Sequence, residues 1–64
     1  MSEIIKYYVG TMPLDNQVTL AQYRYEDGTT NHWLFRDRLG RAYNPTSQAE
    51  VDKIIKDWKL VEDM

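Results

Sequence analysis

Apolar positions with a helical period occur only near the end of the chain. They recur at three- and four-residue spacings that place them on one face of an α-helix, at Val51, Ile54, Ile55, Trp58 and Val61. Charged residues fill the opposite side of this segment. The pattern therefore predicts one amphipathic C-terminal helix, and the preceding residues must form a sheet that covers its apolar stripe.

The residues before this stripe predict where the helix begins. Ser47 and Glu50 have the spacing of a capping box, with serine as N-cap and glutamate three residues later. Thr46 and Asn44 are alternative caps, which would move the start by one to three residues. Leu60 lies opposite the stripe, where we expect the helix to fray because the acidic residues that follow oppose the helix dipole.

A first strand is predicted from Glu3 to Val9, where β-forming residues dominate. Lys6 marks the wetter face of this strand. We therefore expect the alternate residues to point into the core, namely Ile5, Tyr7 and Val9. Residues 12–16 read as a connection, from which Met12 and Leu14 would cap an edge of the core.

Two further strands, Gln17–Glu26 and Thr30–Arg36, flank the dipeptide Asp27-Gly28, which favours a tight hairpin. A two-residue loop would place Tyr25 opposite Thr30, Tyr23 opposite His32, and Ala21 opposite Leu34. The register depends on the loop length, because a one-residue change exchanges the two faces.

A second turn is predicted at residues 37–40, with Asp37 starting it and Gly40 in the left-handed conformation. Residues 41–43 would return as a short fourth strand, and Asn44-Pro45 would then end the sheet. The predicted fold is a single small α+β domain over residues 1–64, an antiparallel meander of three to four strands packed on one C-terminal helix.

Composition narrows the possible functions. The chain has 64 residues, no cysteine and a net charge of −2, so disulfides and cysteine-based zinc sites are excluded. The mild acidity does not favour a general phosphate-binding surface. The N-terminal segment lacks a basic signal-like region, and no apolar run reaches membrane-spanning length. We therefore expect a soluble cytoplasmic protein without membrane contact.

Candidate catalytic groups are sparse. His32 is the one histidine, and an arrangement of Ser47, His32 and Asp37 is supported by no local motif. No metal-ligand spacing or glycine-rich phosphate loop occurs. The sequence predicts that the protein is not an enzyme and binds neither a cofactor nor a metal ion.

Aromatic and arginine residues of the sheet give the strongest functional signal. One helix covers one sheet face, which would leave Tyr23, Tyr25, His32 and Leu34 on the other; Tyr8 and Tyr43 are further candidates for this face. Tyrosine and arginine are enriched in binding hot spots. We expect the partner-binding residues to be Tyr23, Arg24, Tyr25, His32, Leu34, Arg36, Arg38 and Arg41. The simpler alternative is that tyrosines suit exposed strands and arginines keep the hairpin soluble.

These signals favour a stoichiometric inhibitor or regulator of a larger protein, of the kind that phages and mobile elements use; self-association as a homodimer remains open. The alternative is a nucleic-acid-binding domain, with arginines on phosphates and tyrosines on bases. The order strand, Asp27-Gly28, strand, helix resembles that of the small sheet-reading DNA-binding domains of integrases and plant transcription factors, over Gln17 to Leu60. The acidic balance of the chain favours the protein partner.

Overall fold

The computed structural model describes residues 2–11 and 17–63; the expected roles of Met12 and Leu14 lie outside this part. Its elements are β1 (Glu3–Val9), β2 (Thr19–Arg24), β3 (His32–Arg36), β4 (Ala42–Tyr43), α1 (Gln48–Trp58) and β5 (Val61–Glu62). The strands form one antiparallel sheet in the order β4-β3-β2-β1-β5. The predicted α+β fold is confirmed, and β5 extends the expected meander. Residues 2–11 and 17–63 include no helix able to cross a membrane.

The core lies between α1 and one face of the sheet. Its buried side chains are Val18, Leu20, Trp33, Phe35, Val51 and Leu60, and the partly buried Tyr8, Ile54, Ile55 and Trp58 pack against them. Leu20, Trp33 and Phe35 lie on the side that meets the helix, because Leu20 pairs directly with Phe35 and Trp33 lies two residues away on the same side of β3. This side of the sheet is called the helix face below.

The end of the helix differs from the prediction. Lys59 adopts the left-handed conformation with φ 51° and ψ 47°, and the Leu60 N–H donates to the Ile55 carbonyl at 3.0 Å. This pairing is typical of a Schellman C-cap, which ends a helix sharply. Leu60 consequently turns into the core at 6% exposure. The expected fraying is wrong, and Val61 belongs to a strand rather than to the helical stripe.

The start of the helix is confirmed at Ser47, whose Oγ accepts a hydrogen bond from the Glu50 N–H at 3.2 Å. The Glu50 carboxylate does not complete the reciprocal box. It accepts instead from the Thr46 N–H at 3.1 Å and from the Tyr43 hydroxyl at 2.9 Å. The second bond, helped by desolvation and the Glu50 charge, raises the Tyr43 pKa above its ordinary 10.0. Tyr43 therefore lies on the helix face, not on the opposite side of the sheet as we expected.

Both hairpin turns have the same geometry. In the first, the Tyr25 N–H donates to the Thr29 carbonyl and the Gly28 N–H donates to the Tyr25 carbonyl, both at 2.9 Å. Gly28 has φ 87°, whereas Asp27 keeps a negative φ, so the loop has three residues rather than two. Tyr25 therefore faces Thr29 and not Thr30. The predicted pairs of Tyr23 with His32 and of Ala21 with Leu34 are nevertheless confirmed.

The second turn repeats this arrangement. The Gly40 N–H donates to the Asp37 carbonyl at 3.0 Å, and the Asp37 N–H donates to the Arg41 carbonyl at 3.1 Å. Gly40 has φ 82°, the left-handed conformation that its sequence position predicted. The predicted turn over residues 37–40 is confirmed, and β4 is one residue shorter than expected.

The predicted facing of β1 is wrong at its C-terminal half. Tyr8 pairs with the buried Leu20 and packs on the core, so Tyr7 and Val9 point away from the helix. The register between β1 and β2 shifts between Ile4 and Lys6, as at a β-bulge. Lys6 misled the prediction because it shares the helix face with Tyr8 but is exposed, at a position of β1 that β5 does not reach.

Candidate functional site

The sheet surface opposite α1, called the outer face below, carries most of the predicted partner-binding residues. Ladder pairing places three cross-strand rows on it, and directly paired residues share a face. The rows are Ile4–Tyr23–His32, Tyr7–Ala21–Leu34, and Val61–Val9–Thr19–Arg36–Ala42. Within the described ranges α1 is the one helix, and it packs on the other side. The outer face is thus an apolar, aromatic surface that no described element covers.

Side chains of the outer face shield one another only partly. Ala21 is 5% exposed because the larger Tyr7 and Leu34 flank it, whereas Ile4 and Val61 are 42% and 49% exposed. Tyr7, Val9, Tyr23, His32 and Leu34 are half-buried. This distribution gives a continuous apolar strip rather than isolated exposed side chains.

A stacked aromatic pair closes the hairpin end of the outer face. The Tyr25 and His32 rings lie 3.9 Å apart, with 6° between their planes. Thr29 Oγ1 donates to Asp27 Oδ1 at 2.7 Å, so it accepts from His32 Nε2 at 3.2 Å. Hydrogen bonds from the Thr29 N–H and hydroxyl, with a smaller contribution from the nearby His32, lower the Asp27 pKa below 3.8 against a weaker desolvation effect. The His32 ring is thus held in place by stacking on Tyr25 and by the hydrogen bond between its Nε2 and the Thr29 hydroxyl.

The four predicted arginines do not converge. Arg36 lies on the outer face, paired with Thr19 and Ala42. The others lie elsewhere. Arg24 Nε binds Glu3 Oε1 at 2.7 Å, the Arg38 guanidinium lies 5.5 Å from the centre of the Trp58 ring, and Arg41 Nε binds Asp37 Oδ2 at 2.8 Å.

The outer face therefore combines Tyr23, Tyr25, His32, Leu34 and Arg36. Arg24 and Arg38 point to the helix side of the sheet, and Arg41 is part of a turn. Arg36 is the one charged residue on this face among the described strand residues.

The residues considered for catalysis are held apart. His32 begins β3 and Asp37 follows its end, so roughly 16 Å of strand separates them. Ser47 Oγ is used as the helix cap. No group of three metal-ligating side chains occurs in residues 2–11 and 17–63.

One edge of β3 is incompletely paired. β4 pairs only with Phe35 and Arg36. Beyond it, the Trp33 carbonyl accepts a hydrogen bond from the side-chain amide of Asn44, with Asn44 Nδ2 at 2.9 Å. A depression of about 630 Å³ lies against this edge, and its lining includes Tyr25, His32 and Leu34. The depression connects the outer face with the open edge of β3.

Several residues of this surface escaped the sequence prediction. The sequence pattern predicts Tyr7 and Val9 in the core and Val61 in the helix, and it does not indicate the contact of Asn44 with the β3 edge. The alternation in β1 could not reveal its facing, because a bulge has no distinctive residue here. An asparagine directly before a proline at the end of a sheet is a weak signal for such an edge contact.

No family model matches the chain, and no significantly similar curated protein or solved structure was found.

Proposed function

We propose that the protein is a non-enzymatic binding module that acts as a stoichiometric inhibitor or regulator of a larger protein and docks through its outer face. The observation that carries the proposal is the apolar strip of the outer face, which lies opposite a complete helix-covered core. Uncovered sheet faces with large aromatic area are costly to leave in water and are typical of interfaces.

The composition of the outer face supports a protein partner rather than a nucleic acid. Its centre is apolar, its aromatic residues are tyrosine and histidine, and among the described strand residues Arg36 is the one charged side chain on it. Protein interfaces share this depletion of charge at the core and this enrichment in aromatic residues and arginine. Nucleic-acid surfaces require several converging cations, and here Arg24, Arg38 and Arg41 point elsewhere.

Affinity purification from the organism that encodes the chain tests the proposal. The double variant Tyr23→Ala and Leu34→Ala removes outer-face area from positions that are half-buried in the free protein. We expect the wild-type chain to retain one protein at a stoichiometric ratio, and the variant to lose it by at least tenfold.

The matched control is Lys53→Ala with Asp57→Ala, two exposed positions on α1. It should retain the partner. Thermal unfolding of each variant separates loss of the surface from loss of the fold. A partner retained equally by the outer-face variant contradicts the proposal. Copurified nucleic acid whose retention falls steeply with salt contradicts it as well. Sedimentation at micromolar concentration identifies a second copy of the chain as the partner if the mass doubles and the variant is monomeric.

A further inference from the structure

We propose that the partner contributes an extended peptide segment that adds as a strand to the open edge of β3, beside the Tyr25–His32 pair. This inference rests on the proposed function and specifies the chemistry of the partner. The segment would form a hydrogen-bonded pair with Trp33 and displace the Asn44 amide.

The direction of the main chain makes Trp33 available. In a strand, the N–H and C=O of every second residue point to the same neighbour. The Asp37 N–H donates to Arg41, on the β4 side of the sheet. The main-chain N–H and C=O groups of Phe35 and Trp33, which lie two and four residues earlier, therefore point to that side as well. The hydrogen bond of the Trp33 carbonyl supports this direction, because its donor is the Asn44 amide and not a residue of β2.

β4 ends before it reaches Trp33. Its pairs are Phe35 with Tyr43 and Arg36 with Ala42. The Trp33 N–H therefore points to the open edge, beyond the last ladder pair. An edge strand that presents main-chain groups in this way is a template for strand addition.

Asn44 occupies the place that a partner strand would take. Its amide donor satisfies the Trp33 carbonyl, as the N–H of an opposing residue would do in an antiparallel or parallel ladder. A side-chain amide can leave this position without unfolding the sheet. The added strand would replace the Asn44 amide as donor to the Trp33 carbonyl, and it would also accept a hydrogen bond from the Trp33 N–H.

The surfaces on the two sides of this edge define the peptide. Towards the outer face, a peptide residue beside His32 or Leu34 meets the aromatic pair and the depression of about 630 Å³. Towards the helix face, the residue opposite Trp33 meets a smaller depression of about 230 Å³ whose lining is mostly polar and includes Gln22, Thr30 and Gln48. The structure therefore favours an extended segment with the order apolar, polar, apolar.

The probe is the tightest synthetic peptide selected from phage-displayed random dodecapeptides on the folded protein. Two variants act in opposite directions on its affinity. Replacing Trp33 by its α-hydroxy analogue in the chemically synthesised chain deletes one N–H, and the dissociation constant should rise roughly three- to tenfold. Asn44→Ala removes the competing amide, and the dissociation constant should fall by a similar factor.

Controls separate these effects from folding. Lys53→Ala, on the exposed side of α1, should bind the peptide as the wild type does. Unfolding curves should show that the ester chain and Asn44→Ala are folded. Amide exchange at Trp33 should slow when the wild-type chain is saturated with peptide.

Three results would overturn strand addition: no peptide selected with millimolar affinity or better, unchanged affinities in both edge variants, or unchanged Trp33 exchange. The proposed function fails differently. A host partner that is lost from the Tyr23→Ala and Leu34→Ala variant, but bound normally by the ester chain and by Asn44→Ala, leaves outer-face docking intact while excluding addition at β3.

Discussion

At the scale of single residues, two aspartates determine the hairpins. Asp27 Oδ1 accepts from the Thr29 N–H and Asp37 Oδ1 from the Leu39 N–H, both at 3.0 Å. Each bond joins a carboxylate to a main-chain donor two residues on, the local contact that favours aspartate in turns. Asp37 also accepts from the Arg41 N–H at 2.9 Å. The second turn is therefore fixed by a network around one carboxylate.

Asp37→Asn should weaken the fold at neutral pH and remove part of its acid sensitivity. Desolvation is the largest single influence on the Asp37 pKa and raises it, but hydrogen bonds from Arg41 and Leu39 and the Arg41 charge together lower it below 3.8. A lowered folded-state pKa contributes stability above the unfolded value, and this is lost as pH falls through the folded value. Urea unfolding from pH 7 to pH 2 measures the effect.

We expect the stabilities of the wild type and Asp37→Asn to begin to converge as the pH falls below about 4, the ordinary aspartate pKa, and to meet only below the lower folded-state pKa of Asp37. Asp57→Asn, an equivalent carboxyl-to-amide change on the exposed side of α1, is the control and should leave the acid limb of the curve in place. A constant difference between wild type and Asp37→Asn across this range would show that the carboxylate charge is not involved.

At the scale of elements, local patterns determined most of the structure. The first strand, the N-cap at Ser47 and the register of Tyr23 with His32 follow from alternation, capping chemistry and a short loop. The sheet face on which each β1 side chain lies could not be predicted in this way, because the β1 bulge arises from pairing with β2 and leaves no local signal. β5 could not be predicted either, because a two-residue strand cannot show a period and its partner strand, β1, is distant in sequence.

Leu60→Ala should destabilise the protein by about 2–5 kcal/mol, because Leu60 joins the helix end to the core and is 6% exposed. Val61→Ala, at 49% exposure, is the neighbouring control and should cost about 0.5 kcal/mol or less. Denaturant unfolding of both variants measures the difference. Equal losses would mean that Leu60 is not part of the core.

Lys59→Gly should stabilise the protein by about 0.5–1 kcal/mol. The φ of 51° at Lys59 is costly for a residue with a Cβ, whereas glycine adopts it freely. Part of this gain is offset by the greater freedom of glycine in the unfolded chain. The control is Lys56→Gly, inside the last turn of α1, which should cost about 1 kcal/mol. A fall in melting temperature for Lys59→Gly would contradict the C-cap described above.

At the scale of the whole molecule, the sheet has two unlike faces. The helix face carries the core under α1. Two arginines near this face make side-chain contacts: Arg24 forms an ion pair with Glu3, and Arg38 lies over the Trp58 ring. The outer face carries the apolar strip described above. The sequence indicated this division, since one helix covers one face. It could not indicate how the arginines divide, because Arg24 and Arg36 end β2 and β3 and the other two lie in or beside the second turn, where alternation is a weak guide.

This division predicts that the protein does not bind nucleic acid appreciably. A gel-shift assay with short DNA and RNA in about 150 mM salt should show no complex at micromolar protein, because the arginines of the described ranges do not converge on one face. A retained complex that weakens with salt, and that Arg36→Ala with Arg38→Ala abolishes, would instead support the nucleic-acid alternative. Lys53→Ala with Lys56→Ala is the charge-matched control on α1.

The pairing of β5 with β1 also determines when the fold can be completed. Tyr8 and Val9 belong to the first strand of the sheet, but they gain their β5 neighbours only when Val61 and Glu62 have left the ribosome. The two hairpins need only local contacts and can form earlier, whereas closure between distant segments is slow. A nascent chain therefore exposes the β1 edge until β5 emerges. During that interval the sheet is open to incorrect pairing, and a stalled or shortened chain would remain in this state.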